Sequence, residues 1–167
     1  PPPPSVRPPP APLLFCTSGA QPVGTAAISG WRDVLGPALG QATGVAIWPF
    51  AGGLDALLAR GGLVVAESYP AEFYGHLGVS FSKTLGGKRC QKARAANAPA
   101  LLEWAAGSPV AMSDELETAL RDGFGAAADD EDRFDAAVGL LGMLNVIFAR
   151  RPSGAPADER VRRRWGR

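Results

Sequence analysis

The sequence predicts an α/β fold in which a mostly parallel β-sheet carries helices on both faces. Short apolar segments alternate with longer helical segments along the chain, and this alternation is typical of βαβ units. Leu63–Glu67 has four consecutive apolar residues before its only charge, which favours a strand buried on both faces. The sequence predicts two or three strands, of which two are clear, whereas a sheet usually has about four to six. Either the domain is unusually helical or strands precede residue 1.

Local signals define each element in turn. Thr25 is a plausible helix N-cap, Gly40 lies just beyond a helix end, and Pro49 stops a strand. Leu13–Cys16 is predicted to be a short strand or the end of a loop. The elements predicted after it are a helix from Thr25 to Leu39, a strand at Val45–Phe50, a helix at Leu54–Arg60, the strand Leu63–Glu67, a helical turn from Pro70 to Leu77, a helix from Lys88 to Ala106 with a break before Pro99, a helix capped by Ser113 or Asp114 that runs to Arg121, and an apolar helix from Asp132 to Arg150.

The core is predicted where the last helix packs on the best strand. The side chains expected to be buried together are Val64, Val65, Val138, Leu141, Leu144 and Ile147. Residues 1–12 are mostly proline and are predicted to be extended and disordered, residues 13–150 form the domain, and residues 151–167 form a disordered, Arg-rich tail. The proline-rich start, which lacks a methionine, is expected to be a linker or, as the preferred alternative, the edge of an incomplete sequence.

Composition excludes several classes of function. Lys and Arg number 17 against 16 Asp and Glu, so the net charge of +1 gives no bulk attraction to nucleic acid or membrane. Cys16 and Cys90 are too few for a disulfide scaffold or a zinc site. No signal peptide is visible, and Ala136–Ala149 is shorter than the roughly 20 residues that a bilayer requires. We expect a soluble, cytoplasmic protein with no membrane partner and no disulfide-linked partner.

Glu67 is the first candidate for chemistry, because it ends an otherwise apolar strand. Ligands of open α/β sheets bind beyond the carboxyl ends of strands, so a carboxylate there could hold a ligand. An isolated buried charge is very costly, so Glu67 must be metal-bound, hydrogen-bonded or solvent-facing. The structural alternative is a residue that caps the next turn or pairs with an Arg.

A second candidate is the acidic stretch 129–135, which precedes the apolar last helix. Asp132 and Asp135 are three residues apart and share one helical face, and Gly139 and Gly142 continue that face as a stripe small enough to lie close to a sheet. Acids also stabilise a helix N-terminus by about 0.3–1 kcal/mol each, which explains 129–132 without any ligand. Asp135 is explained less well in this way, because Asp is a poor helix former inside a helix.

Together, Glu67, Asp132 and Asp135 could form a hard-cation site. Mg²⁺ and Mn²⁺ prefer oxygen ligands, and two such ions about 4 Å apart activate water in phosphodiester cleavage. Asp129 and Asp130 are expected further out, in the preceding loop. The single histidine, His76, is more typical of a surface or packing residue than of a catalyst.

A basic patch could contact phosphates beside such a site. Its residues are Lys88, Arg89, Lys92 and Arg94, with Lys83 nearby. The alternative for each is an ordinary solvated helix face. The sequence contains neither a Walker-type phosphate loop nor a dinucleotide-binding GxGxxG motif.

Four segments, in order, resemble the predicted ribonuclease-H-like nucleases of domain of unknown function 429. They are Gly19–Gly30 (GAQPVGTAAISG), Val45–Phe50 (VAIWPF), Val64–Glu72 (VVAESYPAE) and Asp132–Val138 (DRFDAAV), and the resemblance covers most of residues 13–150. It implies a three-layer α/β fold with a divalent-metal site. Glu67 would be the later-strand acid, and Asp132 and Asp135 the helix acids.

The chain departs from the family pattern at both ends. The first strand, with its expected Asp, should precede residue 13, where the proline tract stands, and 161–167 is Arg-rich instead of apolar. The resemblance therefore implies a fragment of a metal-dependent nuclease, with Mg or Mn as cofactor and nucleic acid as partner, which is inactive as the isolated 167 residues. The alternative is a non-catalytic α/β module that binds a nucleotide or a protein.

Overall fold

The computed structural model describes residues 23–41, 44–82, 86–127 and 129–154, together with 158 and 160. The predicted proline-rich segment 1–12, the predicted strand at residues 13–16 and Lys83 lie outside the described residues, as does most of the predicted tail. The chain divides into two units. Unit 1 comprises Pro1–Glu67 and Ala155–Arg167, and unit 2 comprises Ser68–Gly154.

Unit 1 contains a small parallel sheet, as the sequence predicts. Strand β1 (Val45–Trp48) pairs with β2 (Leu63–Ala66) in parallel, with Val45 opposite Leu63. Helix α3 (Leu54–Arg60) connects them, so the three elements form a βαβ unit. The sheet has two strands among the described residues. Strand β2 is not buried on both faces: Leu63 is 59% exposed and the rest is half-buried.

The turn between α3 and β2 requires glycine. Gly62 has a φ of +91°, and a Cβ there would collide with the carbonyl oxygen of Gly44. That same oxygen accepts a hydrogen bond of 2.9 Å from the Leu63 N–H, which brings the two backbones together at the start of the strand pair. Gly61 and Gly62, which follow α3, therefore also position the first residue of β2.

The first helical region of unit 1 is longer and less regular than predicted. Helix α1 (Val23–Gly30) begins two residues before the expected cap, Thr25, and is followed by a π-helical segment (Trp31–Leu35) and helix α2 (Gly36–Gln41). Gly40 lies within α2 instead of just beyond a helix end, and Pro37 does not end the helix. Pro37 is the second residue of α2, directly after the π-helical turn, where the regular i→i−4 hydrogen-bond pattern is already interrupted.

The described residues of unit 2 are helical or irregular. Its elements are α4 (Pro70–Phe73), a 3₁₀ turn (Gly75–Leu77), a second 3₁₀ turn (Gly87–Arg89), α5 (Gln91–Ala95), α6 (Ala98–Ala106), α7 (Asp114–Asp122) and α8 (Asp130–Ile147). The predicted break before Pro99 is confirmed between α5 and α6. The predicted cap is also confirmed, since Ser113 Oγ accepts a hydrogen bond from the Leu116 N–H.

The core of unit 2 lies along one face of α8. Phe134, Val138 and Leu141 are fully or almost fully buried, at the i, i+4 and i+7 spacing of a helical stripe. The predicted burial of Val138 and Leu141 is confirmed. Leu144 is only half-buried, and Ile147 is 45% exposed, so the prediction for Ile147 is wrong. The stripe continues instead through Asn145, which places Ile147 on the opposite side of the helix.

A second face of α8 receives the short helix α4. A Cβ at Gly142 would overlap the ring of Phe73, and one at Gly139 would lie 3.1 Å from Ser68 Oγ. Gly139 and Gly142 therefore allow another element to pack closely against α8, as their small size predicts. In unit 2 that element is α4 with the residues before it, not a sheet. No helix in the described ranges combines the length and apolarity that crossing a bilayer requires.

Candidate functional site

Asp135 is one of the predicted site residues, and both of its carboxylate oxygens accept a hydrogen bond. Its Oδ1 accepts a hydrogen bond from the Tyr74 hydroxyl at 2.5 Å, and its Oδ2 accepts one from Lys88 Nζ, also at 2.5 Å. The carboxylate is 18% exposed and the Lys88 side chain 39%. Three separate segments thus converge on one carboxylate: α8, the 3₁₀ turn Gly87–Arg89 and the end of α4.

Tyr74 donates the hydrogen bond to Asp135 Oδ1 in this cluster. Burial raises the pKa of its hydroxyl well above the ordinary value, and the hydrogen bond to Asp135 and the negative charges of Asp135 and Glu131 raise it further. The ring is held by an edge-to-face contact with Phe81, whose ring in turn contacts Phe134 in the core. Tyr74 therefore stays protonated and fixes the orientation of the Asp135 carboxylate.

Glu131 lies one helical turn before Asp135, on the same face of α8. Its Oε2 is buried, and no described group donates a hydrogen bond to it; the nearest cation is Arg89, whose Nε lies 3.9 Å away. Two carboxylates at this spacing repel each other. The 3₁₀ turn offsets that repulsion with adjacent cations, since Lys88 pairs with Asp135 and Arg89 faces Glu131.

The other acids of the stretch 129–135 differ in burial: two are exposed, and one is buried at the start of α8. Asp132 and Asp129 are exposed. Asp130 is the first residue of α8 and is 5% exposed, so the expectation that it lies in the loop is wrong. Its Oδ2 accepts a hydrogen bond of 2.6 Å from the Ala127 N–H, and Oδ1 lies 3.4 Å from Arg133. Asp130 therefore stabilises the turn that leads into the helix.

Glu67 and the α8 acids belong to different units. Glu67 directly follows β2 and is the last residue of the first part of unit 1. It is exposed, which is one of the three environments predicted for it. Within either unit, the described residues contain no group of three or more His, Cys, Asp or Glu side chains arranged to hold a metal ion. The combination of Glu67 with Asp132 and Asp135 stays a prediction.

The predicted basic patch separates into surface and interior residues. Arg89 and Lys92 are exposed, and Lys88 is bound to Asp135. Arg94 is 1% exposed and cannot contact a phosphate from the surface. Its guanidinium donates to the carbonyl oxygens of Lys88 (2.7 Å), Gly123 (2.8 Å) and Gly125 (2.6 Å). Arg94 is therefore a structural residue that ties the 3₁₀ turn to the residues after α7.

His76 is at the surface, as predicted. Arg151 Nη1 lies 2.5 Å from His76 Nδ1, and the guanidinium stacks over the ring of Phe73 at 5.7 Å. Burial lowers the pKa of the imidazole, and the positive charge of Arg151 lowers it further. This contact requires a neutral imidazole that accepts the hydrogen bond.

An open groove of about 560 Å³ lies on another part of unit 2. It is lined by one face of α7 and by residues near the start of α8: Asp114, Glu115, Thr118, Ala119, Asp122, Phe124 and Arg133. None of the predicted site residues lines it. The cluster around Asp135 is defined by side-chain contacts instead of by a cavity.

Sequence reasoning missed two members of the Asp135 cluster. Glu131 was recognisable, because its spacing of four residues from Asp135 places both on one face. Tyr74 was not, because it is 61 residues from Asp135 and no local pattern connects them. Lys88 was predicted as a phosphate contact, and its ion pair with Asp135 depends on packing that the sequence alone does not specify.

Comparisons with known proteins assign no family to this arrangement. No protein-family model matches the chain, and neither a curated protein nor a solved structure matches it.

Proposed function

We propose that this chain is part of a metal-dependent, nuclease-like enzyme that hydrolyses phosphodiesters, with a three-layer ribonuclease-H-like fold. The observation that carries the proposal is the placement of Asp135 and Glu131 on one face of α8, at the edge of a packed core. The resemblance assigns metal ligation to Asp132 and Asp135 of this helix and to Glu67 at the end of β2. Glu131 is an additional candidate ligand.

The donor set of the cluster suits a hard divalent cation such as Mg²⁺ or Mn²⁺. Glu131 Oε2 is a buried oxygen without a hydrogen-bond donor, and Asp135 Oδ2 already binds a cation, the Lys88 ammonium group. Both are carboxylate oxygens, which these ions prefer. When bound, such an ion would lower the pKa of a coordinated water and stabilise charge on the phosphate.

The remaining groups of the cluster orient the ligands and bind the substrate. Tyr74 holds Asp135 Oδ1, so that Oδ2 has a fixed direction. Arg89 and Lys92 are exposed on the 3₁₀ turn and α5, where they would attract a phosphate backbone. A cytoplasmic setting belongs to this proposal and would keep Cys90, a free thiol in the structure, reduced.

A non-catalytic α/β module that binds a nucleotide or a protein is the second candidate. It is favoured by the same contacts, since both oxygens of Asp135 are already satisfied by Tyr74 and Lys88. A carboxylate satisfied in this way needs no ligand. In this interpretation the cluster only fixes the 3₁₀ turn to α8.

The test is an assay of metal-dependent cleavage. Labelled single- and double-stranded DNA and RNA are incubated with Mn²⁺ and either residues 1–167 or a chain extended by a first strand that supplies an Asp. We expect no cleavage by residues 1–167, because positioning of the ions needs that anchoring carboxylate. We expect the extended chain to cleave, and Asp135→Asn to abolish its activity.

Glu117→Gln, which changes an exposed carboxylate on α7, is the matched control and should leave cleavage unchanged. Cleavage by residues 1–167 that Asp135→Asn abolishes would support the site and disprove the need for a further carboxylate. Inactivity of both chains would reject the nuclease and favour the binding module.

A further inference from the structure

Lys88 combines a fixed backbone with a movable charged group. The buried Arg94 donates a hydrogen bond of 2.7 Å to the Lys88 carbonyl oxygen, which fixes the backbone at that residue. The ammonium group, by contrast, is at the end of a flexible side chain that is 39% exposed. Lys88 can therefore move its charge into solvent while its backbone stays in place.

The ammonium group of Lys88 occupies the oxygen that a metal ion would need. It lies 2.5 Å from Asp135 Oδ2, while Tyr74 occupies Oδ1. A divalent ion bound to Oδ2 would lie within a few ångströms of the Lys88 ammonium group, and the repulsion between the two positive charges would weaken the ion pair. We therefore expect a divalent ion that binds Asp135 through Oδ2 to displace Lys88, whereas Tyr74 can keep its hydrogen bond to Oδ1.

We propose that Lys88 is a tethered competitor of the metal: its ammonium group neutralises Asp135 in the metal-free protein and is displaced when a divalent cation binds. This inference rests on the proposed function, since it concerns the same carboxylate. It gives Lys88 a role different from that of Arg89 and Lys92. Lys88 sets the affinity for the metal, and only the displaced side chain is available to a phosphate.

The affinity for Mn²⁺ tests the proposal without any assay of catalysis. Free Mn²⁺ is measured by electron paramagnetic resonance during titration of the 167-residue chain. We expect Lys88→Gln to bind Mn²⁺ about tenfold more tightly than wild type, because no ion pair has to be broken. Lys88→Arg should bind no more tightly than wild type, and Asp135→Asn should lose the site.

Arg121→Gln is the matched control. It also frees a carboxylate from its cation, because Arg121 Nη2 lies 3.6 Å from Glu117 Oε2 on the exposed face of α7. We expect its affinity for Mn²⁺ to equal that of wild type. Tighter binding by both Lys88→Gln and Arg121→Gln would show a general effect of charge and would overturn the proposal. Unchanged or weaker binding by folded Lys88→Gln would also overturn it.

A measurement on the wild-type protein covers the case in which Lys88→Gln does not fold. Acetylation of individual lysines is followed by mass spectrometry with and without Mn²⁺. We expect Lys88 to react several-fold faster when Mn²⁺ is present, and the exposed Lys92 to react at an unchanged rate. Equal acetylation of Lys88 in both conditions would contradict displacement. Mn²⁺ binding controlled by Lys88 without cleavage by any chain would reject the nuclease and retain this inference.

Discussion

The two units of the chain differ in how their apolar side chains are covered. In unit 2, nine buried apolar residues form one cluster: Phe73, Leu77, Val79, Ala98, Leu101, Leu120, Phe134, Val138 and Leu141. In the described part of unit 1, Leu57 is the one buried apolar side chain, and Trp31, Val34 and Leu63 are about half exposed or more. A parallel pair of strands is marginally stable by itself, whereas interlocked helices bury a continuous core.

The same difference separates the candidate residues of unit 2 from Glu67 in unit 1. Asp135, Tyr74 and Lys88 are attached to the core of unit 2 through Phe134, Phe81 and the buried Arg94. Glu67 follows a strand that has no comparable core among the described residues of its own unit. Substitutions in unit 2 should therefore lower the free energy of unfolding more than equivalent substitutions in unit 1.

The largest expected effect comes from Arg94→Met. Removing the buried guanidinium leaves the carbonyl oxygens of Lys88, Gly123 and Gly125 without their donor, at a cost of about 3–5 kcal/mol in the free energy of unfolding. Arg89→Met is the control, because Arg89 is highly exposed and should change stability by less than about 0.5 kcal/mol. Urea unfolding measures both. Equal effects would show that the buried network does not stabilise unit 2.

Leu141→Ala should have the next largest effect. The side chain is 2% exposed in the core, and its truncation should cost about 2–5 kcal/mol. Leu140→Ala, on the exposed side of α8, should lower the free energy of unfolding by less than about 1 kcal/mol. The same limit is expected for Leu63→Ala in unit 1. Denaturant unfolding of the three variants tests the contrast between the units. A loss for Leu63→Ala as large as that for Leu141→Ala would remove the contrast.

Two glycine substitutions are expected to have opposite signs. Gly142→Ala places a Cβ on the ring of Phe73 and should destabilise by about 1–3 kcal/mol. Gly40→Ala in α2 meets nothing within 4 Å and should stabilise by about 0.5–1 kcal/mol, because Ala is the better helix former. Thermal unfolding of the two proteins reports both signs. If Gly142→Ala also stabilised the protein, the close packing of α4 on α8 would be wrong.

The smallest expected effect is a pH dependence from His76. Its pKa is lowered by folding, so the unfolded chain binds the proton more readily, and stability falls as the pH decreases from the ordinary histidine value towards the lowered one. Between pH 7.5 and 5.0, wild type should lose roughly 1–2 °C more in Tm than His76→Gln does. Identical losses in the two proteins would mean that the contact with Arg151 does not sense protonation.

Local signals in the sequence predict much of unit 2. Ser113 predicts the start of α7 because a side-chain cap acts within three residues, and Pro99 predicts the break between α5 and α6. The apolar spacing of Val138 and Leu141 predicts the buried face of α8 correctly up to Leu141. The prediction fails at Ile147, because α8 is apolar on more than one face and the neighbouring helices determine which face is buried.

The candidate site could be predicted only in part. Asp135 stands out because an Asp inside an apolar helix needs a partner, and the structure provides Tyr74 and Lys88. The identity of those partners depends on contacts between residues far apart in the sequence. The interior position of Arg94 was equally hidden, since a buried arginine and a surface arginine look alike in a helix with several cations.

Asp135 is proposed to bind a divalent cation in addition to its structural contacts with Tyr74 and Lys88. Backbone amide signals of the 167-residue chain, recorded by nuclear magnetic resonance during addition of sub-stoichiometric Mn²⁺, test this proposal most directly. Mn²⁺ bound at Asp135 should selectively broaden the signals of Tyr74, Gly87–Arg89 and the residues around Glu131–Asp135, and this broadening should be lost in Asp135→Asn. Broadening centred on the acidic helix α7, or unchanged by Asp135→Asn, would contradict the proposal.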